Sequence, residues 1–281
     1  MKQLRKMKAS QLIYPSKSQA PLIMGIINIT PDSFSDGSQY NSINDATERA
    51  EQMVASGVDI LDIGGESTRP GAQDVSIKEE VERVVPIIDA IKQFGKPISI
   101  DTSKPEVMQA AVEAGAQMIN DVRALQEPKA LEVVAKLQVP VCLMHMQGAP
   151  RSMQKAPIYN NVTLDVMDFL KKRIAECENA GIKKDLISVD PGFGFGKTLE
   201  HNLKLLNELN KMADLGLPIL VGLSRKSMLG QITGKKVDQR LTSSLAVALI
   251  AMQKGANIVR VHDVKETHDV RQVYMALQAI E

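Results

Sequence analysis

Three positions far apart in the chain carry acceptors for one kind of partner. Asp101 closes the run ISID, Asn120 the run QMIN and Asp190 the run ISVD, so each sits where a β-rich segment ends. Two carboxylates and an amide suit the edge of a flat heterocycle bearing ring N–H and NH2 donors, because a bidentate carboxylate contact is worth roughly 1.5 to 3 kcal/mol net. A second set has the opposite character. Arg69, Arg260 and His262 can hold a pyrophosphate, and Asn28 offers a neutral oxygen to Mg2+, which keeps most of its waters and takes few protein ligands. A third feature is GLSRKS at Gly222–Ser227, just past an apolar run and at the start of a short predicted helix, where a substrate carboxylate can rest on Ser227 and free N–H groups. Lys226 beside it can hydrogen-bond a ring, balance Asp190 or form a Schiff base. Each residue also has a plain reading: Asn28 caps a turn, Arg260 pairs with Asp263, His262 is a buried histidine and Lys226 a solvated lysine.

The stretch ISVDPGFGFGKT, residues 187–198, concentrates these signals. Pro191 cannot donate to a strand ladder, so Asp190 stands at a strand end. Gly192, Gly194 and Gly196 allow positive φ and close approach to a ligand, while Phe193 and Phe195 supply apolar faces in a chain with five phenylalanines. The GKT at Gly196–Thr198 imitates a phosphate-binding loop, but that pattern needs Gly five residues before Gly196, and Pro191 is there. Two further loops, TPDSFSDGSQY from Thr30 and GESTRPGA from Gly65, are rich in Gly, Pro, Ser and Asp and long enough to act as lids. Phe34 in one and Pro70 in the other can cover a flat ring.

These residues need a scaffold that delivers strand ends to one rim. SGVDILDIGG from Ser56, AGAQMINDVR from Ala114 and KGANIVRVHD from Lys254 repeat one junction: Gly at a helix end, a β-rich run, then a polar strand end. AGIKKDLISVDPG from Ala180 follows the same form, and FGKPISIDTS, LQVPVCLMHM and LGLPILVGLS use Pro in the Gly position. With the opening PLIMGIINIT, eight strands are predicted, ending near Asn28, Ile63, Asp101, Asp121, Met144, Asp190, Leu223 and Val261. Amphipathic helical stretches alternate with them: 44–56, 75–94, 105–114, 129–137, 162–180, 199–213, 238–254 and 265–279. Strict alternation predicts a parallel sheet, and eight units favour a closed α/β (β/α)8 TIM barrel over an open doubly wound sheet. No GxGxxG follows the first strand, which weighs against a dinucleotide fold. In a barrel the C-terminal strand ends carry the chemistry, and here they read Asn28, the stretch 62–69, Asp101, Asn120, His145, Asp190, the stretch 224–227, and Arg260 with His262.

Size and composition fit this scheme. At 281 residues the chain matches a single barrel of about 250 residues with an N-terminal extension, giving boundaries of 1–20 and 21–281. The balance of 34 basic and 33 acidic residues argues against nucleic acid or an acidic membrane as a partner. Cys142 and Cys177 have no metal-ligand spacing, which suits a reduced, cytoplasmic protein. The basic N-terminus lacks the apolar core of a signal peptide, and the longest apolar run, 245–252, is too short to cross a bilayer.

Taken together, GIINITPDSFSDG, DIGGESTRPGA, ISIDTS, INDVRAL, DPGFGFGKT, GLSRKS and RVHDV, spread from Gly25 to His262, resemble the dihydropteroate synthase family. The resemblance implies Mg2+-assisted transfer of a hydroxymethyl-dihydropterin from its diphosphate to 4-aminobenzoate in folate biosynthesis, inhibition by sulfonamides, and a homodimer. It assigns the pterin to Asp101, Asn120, Asp190 and Lys226, and the diphosphate to Thr68, Arg69, Arg260 and His262. Asn28 resembles the metal ligand, and Phe34, Pro70, Phe195, Lys226 and Ser227 would shape the aminobenzoate site. Asp190, Lys226, Arg69, Arg260 and His262 carry the catalytic weight in this scheme. The first loop departs from the family's frequent SDGG, since Ser38 follows Gly37. A methyltransferase using methyltetrahydrofolate would share the Asp/Asn pocket without needing the SRKS and RVH anion sites. A non-catalytic pterin-binding paralogue would be expected to have lost some of these residues.

Overall fold

A computed structural model describes residues 20–29, 39–67, 74–148 and 157–280. Phe34, Thr68, Arg69, Pro70, most of both glycine-rich loops and nearly all of the N-terminal extension lie outside the described residues. Eight strands are present: β1 (Leu22–Asn28), β2 (Ile60–Gly64), β3 (Ile98–Asp101), β4 (Met118–Asp121), β5 (Val141–Met144), β6 (Ile187–Asp190), β7 (Leu220–Val221) and β8 (Ile258–Val261). All pairings are parallel, in the order β6-β5-β4-β3-β2-β1-β8-β7. A parallel bridge between Val189 and Ile219 joins the two ends, with the Val189 N–H donating to Pro218 O at 3.0 Å. The barrel is thereby closed, as the alternation predicts.

The helices are α1 (Gln39–Ala55), α2 (Ile77–Ile91), α3 (Pro105–Ala114), α4 (Ala130–Leu137), α5 (Val162–Asn179), α6 (Leu199–Asn207), α7 (Ser227–Thr233), α8 (Leu241–Gln253) and α9 (Val264–Gln278). Three of their starts carry side-chain caps: Ser76 accepts from the Glu79 N–H, Asn161 from those of Thr163 and Leu164, and Thr198 forms a capping box with His201. Four helix boundaries differ from the sequence expectation by three residues or more; one is the stretch expected to end at Phe94, where the α-helix stops at Ile91 and a 3-10 turn covers Lys92–Phe94. The first helix begins at Gln39 rather than Asn44. The helix expected to run to Ala213 stops at Asn207 and tightens into a 3-10 segment, Leu209–Leu215. The tightening brings Leu209, Met212 and Leu215, three residues apart, onto one buried face. The stretch expected to start at Asp238 becomes helical only from Leu241, after a 3-10 turn at Val237–Gln239. Arg240 breaks the two apart, its guanidinium reaching the carbonyls of Lys235 and Arg225 at 3.1 Å.

Strand side chains alternate between two cores. Those facing outward, among them Ile23, Ile27, Leu61, Ile63, Ile100, Ile119, Leu143 and Val189, pack against the helices in one large cluster. Those facing inward at the lower level, Met24, Ile60, Met118, Cys142, Leu220 and Ile258, form a separate apolar plug inside the barrel. One period higher, the inward positions of β2, β4 and β8 become polar, at Asp62, Asn120 and Arg260, and those of β3 and β6 carry Asp101 and Asp190.

Candidate active site

The polar level is fixed by register. Asn28 pairs with Gly64, Gly64 with Asp101, and Asp101 with Asn120, so four consecutive strands place these residues in one row at the C-terminal rim. Gly64 leaves room between its neighbours: a Cβ there would lie 3.6 Å from Asn28 Oδ1 and 3.7 Å from Asp101 Cβ. Asp190, on β6, is buried, and its Oδ1 accepts the Gly192 N–H at 2.7 Å in an Asx turn that Pro191 helps to set. Burial raises the Asp190 pKa to about 6, opposed by the Gly192 N–H and by the charges of Lys226, Lys197 and Arg260. Burial also raises Asp101, to about 7; Arg260 opposes the shift, and the like charges of Asp62, Asp121 and Glu80 add to it. Both carboxyls are therefore poised to respond to a ligand that brings hydrogen-bond donors.

Arg260 occupies the centre of this level. Its Nε donates to Asp62 Oδ2 at 2.6 Å and one terminal nitrogen to Asp101 Oδ2 at 2.7 Å. Asp263, its expected plain partner, instead receives Arg225 through two hydrogen bonds. Asp62 is fully buried and its Oδ1 has no hydrogen-bond partner, so its charge is committed to holding the guanidinium.

The loop after β6 forms a wall. Gly192, Gly194 and Gly196 have φ of 70°, 81° and 61°. A Cβ on Gly192 would overlap the His145 carbonyl oxygen, so only glycine fits there. Phe195 turns its ring toward the rim, and Lys226 Nζ lies 4.1 Å from the ring centroid. The loop is tied to its surroundings by Tyr159, whose hydroxyl donates to Gly196 O at 2.7 Å, and by Asn202, which accepts the Gly194 N–H at 2.8 Å.

After β7, Lys226 is the N-cap residue of α7 and Ser227 its first residue. Arg225 takes a positive φ of 57°, and the Ser244 hydroxyl accepts its N–H at 2.9 Å, which fixes the turn. Ser224 bridges to β8: its hydroxyl accepts the His262 N–H at 3.2 Å and lies 3.0 Å from His262 Nδ1. These contacts are satisfied together when Ser224 donates to Nδ1, leaving the ring proton on Nε2. The foot of the second loop is also anchored. Lys104 Nζ contacts Glu66 at 2.7 Å and the buried Glu80 at 2.5 Å, while Glu66 Oε1 accepts the Val75 N–H at 3.0 Å.

Of the residues singled out in the sequence, Asn28, Asp101, Asn120, Asp190, Phe195, Lys226, Ser227, Arg260 and His262 lie at this one rim. Several partners were not singled out. Asp62 had a signal, since it lies two residues from both Ile60 and Gly64 and so faces inward with them. Lys197 had none, because GKT reads only as a failed phosphate motif. The Glu66–Lys104–Glu80 cluster joins three separate elements and has no spacing to find.

A closed (β/α)8 barrel with a carboxylate–amide row and a cationic mouth at its C-terminal face fits an enzyme class that takes a hydrogen-bonding heterocycle there. The profile of the pterin binding enzyme family matches residues 24–262. The dihydropteroate synthase of Haemophilus influenzae is 55% identical over 257 residues, covering 91% of this chain and 94% of that protein. The Xanthomonas albilineans dihydropteroate synthase solved with 4-aminobenzoic acid superposes with a TM-score of 0.88 at 49% identity, covering 94% of this chain and 95% of the other. The same enzyme in complex with 7,8-dihydropteroate gives 0.85 at 45% identity, covering 95% and 96%. The chain belongs to the pterin-binding enzyme family, among the dihydropteroate synthases.

Proposed function

We infer that the protein joins (7,8-dihydropterin-6-yl)methyl diphosphate to 4-aminobenzoate, giving 7,8-dihydropteroate and pyrophosphate in folate biosynthesis. The observation that carries this is the row Asp101–Asn120 with Asp190, acceptors gathered at the C-terminal end of the barrel, Asn120 and Asp190 buried and Asp101 partly exposed. The relatives that bind 4-aminobenzoic acid and 7,8-dihydropteroate favour it over a methyltransferase or a non-catalytic paralogue.

In this reading Asp190, Asp101 and Asn120 accept from the donor edge of the pterin, Lys226 hydrogen-bonds the ring, and Phe195 lines the aminobenzoate side with Lys226 and Ser227. Phe34 and Pro70 would complete that side and Thr68 and Arg69 the diphosphate side, all outside the described residues. The bond from the methylene carbon to the diphosphate oxygen breaks with its electron pair leaving on pyrophosphate. The aryl amine lone pair forms the new C–N bond, and the amine then releases a proton. An aryl amine is a weak nucleophile, so the residues help most by stabilising the departing charge and the cation shared between methylene and ring. Ionised Asp190 stabilises that cation. Arg260, with two nitrogens held by Asp62 and Asp101, offers its remaining terminal nitrogen and its charge to the leaving group, together with His262. No covalent enzyme intermediate is required.

Among the described residues no group of three His, Cys, Asp or Glu side chains could hold a metal ion. A single neutral oxygen, Asn28 Oδ1 at the exposed rim, fits Mg2+ that arrives with a diphosphate and retains its waters. When bound, the ion supplies charge stabilisation to pyrophosphate. The same reading makes the enzyme cytoplasmic and homodimeric. In support, no described helix is long and apolar enough to cross a membrane, and Val273 and Leu277, one turn apart on α9, leave an apolar strip exposed. A coupled assay of pterin diphosphate and 4-aminobenzoate, scored for Mg2+-dependent pyrophosphate release, tests the reading; absence of release from folded protein overturns it.

A further inference from the structure

Lys197 is the buried charge that the reaction scheme leaves unused. Its side chain is 3% exposed, and its Nζ lies 2.9 Å from His145 Nδ1, 2.9 Å from Gly192 O and 3.1 Å from Phe195 O. A lysine ammonium donates only, so Nδ1 accepts from it, and the three acceptors use all three of its N–H groups. His145 suits this role: burial and the neighbouring Lys197 charge hold its pKa down to about 2, so the ring stays neutral with its proton on Nε2. The ring is itself wedged edge-on against Phe169, with centroids 4.9 Å apart. The three acceptors belong to His145, the residue that follows β5, and to the two ends of the Gly192–Phe195 turn. That turn carries the N–H bound to Asp190 at one end and the Phe195 ring beneath Lys226 at the other.

We propose that Lys197 is a positioning residue for the transfer reaction, whose buried ammonium clamps the Gly192–Phe195 turn and keeps Asp190 ionised for the pterin. The proposal rests on the reading of Asp190 as the pterin acceptor. It assigns Lys226 and Lys197 different tasks. Lys226, at the rim, faces ligand; Lys197, beneath the turn, supplies a counter-charge that ligand exchange does not displace. The titratable and charged groups around Asp190 are Lys226 from the turn after β7, Arg260 from β8, Cys142 from β5 and Lys197 from its own loop. Around Lys197 they are Asp190, Lys226 and His145. Burial lowers Lys197 to about 7, the Asp190 charge opposing the shift and Lys226 adding to it, so the ammonium is present where Asp190 titrates.

The test compares pH profiles of kcat/KM for pterin diphosphate in wild type, Lys197→Met and Asn202→Ala. Asn202 braces the same loop through Gly194, Lys197 O and Thr198 O but carries no charge, so its variant reports loosening alone. Lys197→Met should lose about 100-fold near neutral pH and move the acid limb upward by roughly one unit, as expected for loss of one nearby opposite charge. Asn202→Ala should lower activity with the acid limb in place. A Lys197→Met limb that coincides with the wild-type limb reduces Lys197 to a structural brace and overturns the proposal. Should Lys197→Met not fold, Lys197→Gln removes the charge while keeping hydrogen-bond donors for the turn carbonyls; an unmoved limb there has the same meaning. Asp190→Asn, run alongside, separates the two readings, because near-normal turnover in that variant defeats the pterin-pocket assignment whatever Lys197 does.

Discussion

The lower and upper halves of the barrel interior are built on the same strands, two residues apart, and they serve opposite ends. Below, Met24, Ile60, Met118, Cys142, Leu220 and Ile258 form an apolar cluster, with the small hydroxyls of Ser99 and Ser188 in register with Met118 and Cys142. Above, Asp62, Asp101, Asn120, Asp190 and Arg260 crowd three carboxylates around one guanidinium. The apolar half contributes burial free energy, about 25 cal/mol per Å² removed from water. The polar half gives some of it back, as the raised pKa values of Asp101 and Asp190 show, and holds in exchange a set of acceptors waiting for donors. Height along the barrel axis separates the half that stabilises from the half that binds.

Substitutions should divide along that line. Met118→Ala, in the lower half, is expected to cost about 2 to 5 kcal/mol of stability through lost burial and the cavity left behind. Denaturant unfolding would read that loss, while turnover per folded molecule stays near wild type. An equal loss of turnover would show that the two halves are mechanically coupled. Asp190→Asn should do the reverse, removing about 2 to 4 kcal/mol of transition-state stabilisation, read as a 30- to 1,000-fold drop in kcat/KM.

The same variant should make the ligand-free protein more stable by about 1 to 2 kcal/mol at pH 8, because an amide can still accept the Gly192 N–H without burying a charge. The sign follows from linkage. Asp190 and Asp101 have folded-state pKa values of about 6 and about 7 against 3.8 in an unfolded chain, so the folded protein binds more protons between those limits. Their contribution to stability is full below about pH 4 and is lost as pH rises through 6 and 7. The gain in melting temperature of Asp190→Asn over wild type should thus be larger at pH 8 than at pH 5, and a pH-independent difference would contradict the burial account. Catalysis runs the other way, since the ionised acceptors are required, and kcat/KM should fall as pH drops through that window. The smallest effect concerns thiols. Cys142 and Cys177 are buried, and burial pushes the first well above its usual range and the second up to about 12. Alkylation by iodoacetamide at pH 8 should therefore track global unfolding; fast labelling of folded protein would mean that the barrel interior opens locally.

Much of this was legible in the residue order. Gly or Pro before each β-rich run, polar residues after it and amphipathic stretches between marked eight parallel strands, and their ends fell at or within two residues of the expected positions. Asp101, Asn120 and Asp190 were found because a strand end is a local feature, written in consecutive residues. The same local logic marked Asp190–Pro191–Gly192 as a turn that stops a strand. What the chain order could not settle was the pairing of charges across the barrel. Arg260 lies 159 residues from Asp101 and 198 from Asp62, and nothing in either neighbourhood says that one guanidinium will bridge both. Lys197 likewise looks like a surface lysine after a glycine loop until β5 brings His145 to it across 52 residues. Burial, and with it the strength of every one of these electrostatic contacts, exists only once the strands have closed and excluded water, so the identity of the acceptors was a property of the sequence and their tuning a property of the tertiary structure.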